Sequence, residues 1–244
     1  MSMPDRRRIG FDRTIAAEWL DATVARVMTG EPPEITRKFL WGFLENVEAG
    51  TTHSSGRGKT LTVLSRIWIS VPRQVEPLKQ AALECVATTT GERRIGVHWA
   101  MVVGTHPFFF DIATHIGKLL KLHGHATRSQ IRRQMTDTWG DRSTLERTIQ
   151  HVLRSMVQWG LLRAGEEHGS VIGPAQRISI EDQVGQILLH SVLLGCGRGL
   201  PFPYLVDHPA LFPFVVRVTA SQLMHNHVFL VQRQGDNSYL VELR

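Results

Sequence analysis

Residues 125–163 read HATRSQIRRQMTDTWGDRSTLERTIQHVLRSMVQWGLLR and contain two consecutive helix patterns. In the first pattern, apolar residues recur every four positions, at Ile131, Met135 and Trp139. Thr127 and Gln130 have the T-x-x-Q spacing of a capping box, in which the threonine hydroxyl accepts a hydrogen bond from the third helical amide. Gly140 predicts the end of this helix, because glycine suits a left-handed C-terminal cap.

The second helix pattern follows at once, since only two residues separate Gly140 from Ser143. Ser143 and Glu146 have the S-x-x-E spacing of another capping box, which predicts a helix start at Ser143. One face of this helix is apolar, with Leu145, Ile149, Val152, Leu153, Met156 and Val157. The other face is polar, with Arg147, Gln150, His151 and Arg154. Two short helices joined by such a turn match a helix-turn-helix unit.

A small β-sheet is predicted after the second helix. Residues 161–163 and 177–180 are expected to pair as strands around the glycine-rich stretch 165–174. With a preceding helix at 108–122, the order of elements is that of a winged helix. In such units the second helix of the turn presents its N-terminal residues to base edges. Capped helices in series also occur in helical bundles, and winged helices also serve as protein-docking modules.

The distribution of charge favours DNA as the partner of this unit. The chain has 28 Lys and Arg against 22 Asp and Glu, a formal charge of +6. Between Lys121 and Arg163, eight residues are basic and three are acidic, so most of the excess lies in this stretch. Such a cluster is the electrostatic footprint of phosphate contact.

Seven residues are therefore predicted to bind double-stranded DNA. The recognition-helix candidates are Arg142, Arg147, Gln150 and Arg154. The phosphate-contact candidates are Arg128, Arg132 and Arg133. The alternative for Arg132 and Arg133 is an ordinary solvated helix face.

The fold class predicted for the whole chain is mainly α. The expected architecture is an N-terminal helical bundle (1–104), a central winged helix-turn-helix (105–180) and a C-terminal extension of a helix and a small β-hairpin (181–244). Helical periodicity predicts further helices at 11–28, 34–48, 59–69, 77–86, 92–103, 107–122 and 181–194. Alternating apolar residues predict the hairpin strands 228–232 and 239–243, joined by Gly235, Asp236 and Asn237.

The remaining motifs argue against catalysis and cofactors. Residues 53–60, HSSGRGKT, resemble a phosphate-binding loop, but that pattern requires a glycine where this chain has His53. The pairs His123/His125 and His225/His227 have no carboxylate or cysteine at a recognisable spacing, so no metal is expected. No nucleophile or metalloprotease signature is present. We therefore expect a protein that is not an enzyme and carries no cofactor.

The two cysteines and the N-terminus favour a cytoplasmic location. Cys85 and Cys196 lie far apart and form no zinc or disulfide framework. The first thirteen residues are charged and lack the apolar core of a secretory signal. No apolar stretch is long enough to span a bilayer, so no membrane partner is expected.

Five blocks of sequence resemble one known family. They are Phe11-Asp12-Arg13 before the Trp19 helix, His98-Trp99-Ala100, 107–111 (PFFFD), 139–147 (WGDRSTLER) and 152–160 (VLRSMVQWG). Over about residues 10–165 the chain is similar to the BrxA family, the small helical component of bacterial BREX phage-exclusion systems. The long tail after Leu162 extends beyond the core of that family.

The resemblance implies a DNA-binding accessory protein of an anti-phage defence system. It implies as further partners a methyltransferase, an ATPase and an alkaline-phosphatase-like protein. Two alternatives stay open on the sequence: a winged-helix transcriptional regulator, and a scaffold subunit that docks a protein partner without binding DNA.

Overall fold

The computed structural model describes residues 9–167, 169–235 and 238–244. It is mainly helical, with 59% helix and 11% strand. The α-helices of the described residues are α1 (Ala17–Met28), α2 (Pro33–Phe43), α3 (Gly56–Leu64), α4 (Glu76–Thr88), α5 (Glu92–Thr105), α6 (Pro107–His123), α7 (Arg128–Trp139), α8 (Leu145–Gln158), α9 (Asp182–Cys196), α10 (Phe202–Val206) and α11 (Ala220–Met224).

Short strands form three small sheets. The strands are β1 (His125–Thr127), β2 (Arg163–Ala164), β3 (Ser170–Ile172), β4 (Ile178–Ile180), β5 (Leu200–Pro201), β6 (Phe214–Val216), β7 (Phe229–Arg233) and β8 (Tyr239–Leu243). The first sheet has the order β1-β3-β2, the second pairs β4 with β6, and the third has the order β5-β8-β7.

An aromatic cluster around Trp99 of α5 joins distant parts of the chain. Its indole ring packs edge-on against Phe109, Trp159, Phe212 and Phe214, at centroid distances of 5.0–6.4 Å. These rings come from all three predicted segments, 1–104, 105–180 and 181–244. The buried apolar residues of the chain form one cluster. The division at 104 and 180 stays a prediction.

Most predicted helices are confirmed, with shifted ends. The helix predicted at 11–28 begins only at Ala17, because residues 11–16 are extended against α8. There the amide of Ile15 donates to the Ser155 hydroxyl over 2.8 Å, and the Trp159 indole donates to the Ile15 carbonyl over 2.8 Å. The helix predicted at 34–48 ends at Phe43. Within 59–69 a π-helical turn, Ser65–Ile69, follows α3.

The break between α7 and α8 is confirmed, as is the capping box of α7. The Gln130 amide donates to the Thr127 hydroxyl over 3.2 Å, and the Thr127 amide donates to the Gln130 side-chain oxygen over 2.9 Å. Gly140 ends α7 with φ +77° and ψ 163°. Its φ requires glycine, but its ψ lies outside the left-handed helical region that the sequence argument assumed.

The second predicted capping box is wrong. α8 begins at Leu145 rather than Ser143, and its N-cap residue Thr144 has helical dihedrals and no side-chain cap. The Leu145 amide instead donates to the Arg142 carbonyl over 2.9 Å. A tight backbone turn therefore starts the helix and leaves the Ser143 hydroxyl without a capping role.

The predicted strand pairing of 161–163 with 177–180 is also wrong. β2 pairs antiparallel with β3, and β1 pairs antiparallel with the other edge of β3. β4 pairs in parallel with β6, from Ile178 opposite Phe214 to Ile180 opposite Val216. Ile180 and Phe214 are completely buried in this pairing. The free energy gained by burying these side chains therefore outweighs a local pairing of 177–180 with 161–163.

The C-terminal hairpin is confirmed. β7 and β8 pair antiparallel, with Val231 opposite Val241 in the middle, and β5 adds a third strand. Asp236 and Asn237 of the predicted turn lie outside the described residues. Within the described ranges, no helix has both the length and the apolar character needed to cross a bilayer.

Candidate nucleic-acid interface

Buried contacts with α6 hold α7 in place. The Trp139 indole at the end of α7 donates to the Asp111 carboxylate over 2.9 Å, and its ring packs edge-on against Phe108 at 5.1 Å. Ile131 and Met135, which belong to α7, are completely buried on its inner face. The orientation of α7, and of the turn that follows it, is therefore set by the core.

The outer face of α8 carries three of the predicted DNA-contact residues. Its inner face is buried, from Leu145 to Met156. Arg147 and Arg154 are exposed on the opposite side, and Gln150 is half-buried between them. Residues spaced by three, four and seven positions share one helix face, so these side chains form a row.

His151 lies beside this row, and the positive charges of nearby arginines act on its ring. Its ring hydrogen-bonds to the Thr14 hydroxyl over 3.0 Å, so it faces the extended N-terminal segment. Burial lowers the pKa of His151, and the positive charges of Arg147, Arg13 and Arg154 lower it further. Arg13 therefore adds a cation near α8 that the sequence argument missed, since more than a hundred residues separate the two.

A first groove, the α7–α8 groove, lies between the two helices. It encloses about 630 Å³. Its charged lining consists of Arg128, Arg132, Arg133, Asp137, Asp141 and Glu146. Three cations thus face three carboxylates, and the Arg132 guanidinium lies 3.3 Å from the Asp141 carboxylate. This groove is larger than the next one, but its balanced charge makes it the poorer site for a polyanion.

A second groove, the α8–hairpin groove, lies between α8 and the β2–β3 hairpin. It encloses about 390 Å³ and has an apolar floor that includes Leu153 and Val171. Arg128, Gln150 and Arg154 lie along its rim, and no carboxylate lines it among the described residues. It therefore combines hydrogen-bond donors and positive charge without a competing acid.

Arg128 connects the hairpin to the helices. Its backbone amide donates to the Gly169 carbonyl over 3.1 Å. Gly169 has φ +77°, and a Cβ there would lie 3.0 Å from the Arg128 guanidinium. A glycine at this point lets the hairpin approach the start of α7 closely, which places Arg128 beside both grooves.

The structure divides the seven predicted residues into three groups. Arg128, Gln150 and Arg154 meet in the α8–hairpin groove, with Arg147 on the same face of α8. Arg132 and Arg133 lie in the acidic α7–α8 groove. Arg142 lies exposed in the turn before α8, where its carbonyl accepts the Leu145 amide.

The remaining motifs are the segment 53–60 and the histidine pair His123/His125. Ser55 caps α3, so residues 56–60 form its first turn, and the buried Arg57 side chain donates to the Trp41 carbonyl over 2.7 Å. The rings of His123 and His125 lie 6.4 Å apart. In the part of the chain that the structure describes, no three His, Cys, Asp or Glu side chains form a group able to hold a metal ion.

No protein-family model, no curated protein and no solved structure matches this chain.

Proposed function

We propose that this chain is a DNA-binding protein built on a winged helix-turn-helix. In this reading α6, α7 and α8 are its three helices, and β2 and β3 form the wing. The strand β1, between α6 and α7, completes a sheet of order β1-β3-β2. α8 is then the recognition helix, which enters the major groove while the wing contacts the neighbouring backbone.

The observation that carries the proposal is the row Arg147, Gln150 and Arg154 beside a groove that no carboxylate of the described residues lines. Arginine donates two hydrogen bonds to guanine O6 and N7, and glutamine pairs similarly with adenine. Arg128, fixed at the junction of α7 and the wing, is suited to a phosphate. Arg128, Gln150 and Arg154 line one groove, and Arg147 lies on the same face of α8.

The proposal ranks the other predicted residues lower. Arg132 and Arg133 line only the α7–α8 groove, whose three carboxylates repel phosphate and compete for the guanidinium groups, whereas Arg128 also lines the α8–hairpin groove. The Arg132–Asp141 pair must also be weakened before Arg132 can bind DNA. We therefore assign Arg132 and Arg133 to the edge of the interface, together with Arg142, which lines neither groove.

The resemblance to the BrxA family supports a role within this class. On that basis we propose a non-enzymatic accessory subunit of an anti-phage system, with a methyltransferase, an ATPase and a phosphatase-like protein as candidate partners. A winged-helix transcriptional regulator is the alternative, and tight binding to one defined operator would favour it.

A protein-docking role is the second candidate function. Val157 on the floor of the α8–hairpin groove is 41% exposed, and an apolar floor suits a peptide better than a phosphate backbone. Absence of salt-sensitive DNA binding would favour this reading.

The first test is duplex binding followed by fluorescence anisotropy at several salt concentrations. Binding through phosphates gives a linear log–log plot, with a slope of about −0.9 per phosphate neutralised. We expect Arg128→Ala to reduce that slope by about one and to weaken all duplexes alike. We expect Arg147→Ala or Arg154→Ala to cost about 1–3 kcal/mol on a selected site and less on random DNA.

Two arginine variants serve as matched controls. Arg132→Ala removes a cation that is already paired, and Arg73→Ala removes an exposed one that lines neither groove. Both are expected to bind more nearly like the wild type than Arg154→Ala. The proposal fails if the wild type shows no binding at low salt. It also fails if a folded triple variant at 128, 147 and 154 binds as tightly as the wild type.

A further inference from the structure

His151 is a titratable group beside the row of Arg147, Gln150 and Arg154 on α8, which we call the α8 row. It follows Arg147 by four positions and precedes Arg154 by three, so both arginines are its neighbours on one helix face. The His151 side chain is half-buried. It does not line the α8–hairpin groove, which borders the other side of the row. His151 therefore marks the flank of the α8 row that faces away from the hairpin.

The extended N-terminal segment packs against this flank of α8. The Thr14 hydroxyl and Nδ1 of His151 are hydrogen-bonded over 3.0 Å. One residue later, the Ile15 amide donates to the Ser155 hydroxyl over 2.8 Å. These contacts fix the position of the imidazole ring. They also bring the charges that precede Thr14 in the sequence close to the ring.

The charges around His151 disfavour its protonation in the free protein. Burial lowers the pKa of His151, and the positive charges of Arg147, Arg13 and Arg154 lower it further. The Asp12 carboxylate raises this pKa but offsets only part of the decrease. Nε2 of the ring is shielded from water and has no hydrogen-bond partner among the described residues, so a proton added there gains no acceptor. The ring is therefore neutral at neutral pH.

A DNA phosphate bound at the α8 row would reverse this balance. Its negative charge neutralises the arginines that repel a proton from the ring, and it also attracts the proton directly. The pKa of His151 is then higher in the complex than in the free protein. Binding and protonation are linked reciprocally, because a ligand that raises the pKa binds the protonated form more tightly by the same factor.

We propose that His151 takes up a proton when DNA binds to the α8 row, so that this protein binds DNA more tightly in mildly acidic than in mildly alkaline solution. The inference rests on the proposed function, to which it adds regulation by pH at the same site. Histidine suits this role because its ordinary pKa lies close to neutrality. The uptake of one proton changes the affinity by at most about tenfold per pH unit.

The first test measures the affinity of the full chain for one duplex by fluorescence anisotropy at about pH 8, 7 and 6, at constant ionic strength. The wild type is expected to bind about threefold more tightly at pH 6 than at pH 8. Circular dichroism at each pH shows whether the chain is folded. Unfolding in acid would weaken DNA binding, so it has the opposite sign to the expected effect.

Two histidine variants separate His151 from the other histidines of the chain. His151→Gln retains a group that can hydrogen-bond to Thr14 but cannot be protonated. Its affinities at pH 6 and pH 8 are expected to differ by much less than those of the wild type. The control is His227→Gln, since His227 is exposed between α11 and β7. This control is expected to keep the pH dependence of the wild type.

A second test measures the pKa of His151 directly by NMR titration of its ring protons, which are assigned by their absence in His151→Gln. The pKa is expected to be below its ordinary value in the free chain and to rise when the duplex is saturating. Arg154→Ala is expected to raise it in the free chain, because the variant removes one of the repelling cations. Arg73→Ala, which lies outside this set of charges, is expected to leave it unchanged.

The proposal is overturned if a wild type that binds DNA has the same affinity at pH 6 and pH 8. It is also overturned if His151→Gln keeps the full pH dependence, or if the duplex leaves the pKa of His151 unchanged. If the wild type binds no DNA at any of these pH values, the proposed function fails and this inference fails with it. A failure of the inference alone is recognised by DNA binding that does not depend on His151 and pH together.

Discussion

Three buried histidines predict that this protein loses stability in mild acid. Burial lowers the pKa of His106 to about 3 and those of His190 and His208 to about 4, from an ordinary value of 6.5. Between pH 6.5 and about 4, these three imidazoles are protonated in the unfolded chain and neutral in the folded chain. The stability they contribute is therefore complete above pH 6.5 and falls as the pH drops toward 4.

The size of the effect follows from these pKa values. Each pH unit below 6.5 costs about 1.4 kcal/mol per histidine, so lowering the pH from 7 to 5 costs about 2 kcal/mol for each. The three together cost about 5–6 kcal/mol, much of the 5–15 kcal/mol by which a typical domain is stable. Asp21 affects the stability only at lower pH than the histidines do. Hydrogen bonding to His98 helps lower the pKa of Asp21 to about 2, below the pH range from 7 to 5.

His190→Leu isolates one of these contributions. His190 is 4% exposed on α9, beside the Phe229 ring. We expect the variant to lose about 2 kcal/mol less than the wild type between pH 7 and pH 5, as measured by urea unfolding. Leu188→Ala on the same helix is the control, since a cavity lowers the stability by the same amount at both pH values. If His190→Leu and the wild type have the same pH dependence, the protonation argument is refuted.

Two further predictions test local packing. Thr127→Ala should lower the free energy of unfolding by about 0.5–2 kcal/mol, whereas Ser143→Ala should leave it unchanged, because only the threonine caps its helix. Equal effects in thermal melts would contradict the cap assignments. A Cβ at Gly117 would lie 1.9 Å from the Pro209 carbonyl oxygen, so Gly117→Ala should destabilise the protein by at least about 1–3 kcal/mol. A neutral result in urea titrations would show that α6 and residues 209–211 are not in close contact.

The sequence was sufficient to predict features that depend on neighbours along the chain. The capping box of Thr127, the break at Gly140 and the C-terminal hairpin each involve contacts across a few residues, where residue type decides the backbone conformation. The longer helices were predicted for the same reason, whereas the short helices α10 and α11 were not. Where such a prediction failed, as at Ser143, a competing backbone turn used the same few residues.

The tertiary structure alone decided how charge is arranged around the proposed DNA-binding surface. The basic residues between 121 and 163 are visible in the sequence, but the position of each carboxylate relative to each arginine is not. Folding places Asp141 against Arg132 and leaves Arg154 in a groove whose described lining includes no carboxylate. It also brings Arg13 to α8 and Phe214 to β4. The physical reason is that electrostatic and packing energies depend on distances in space, which helix periodicity and charge counts along the chain do not specify.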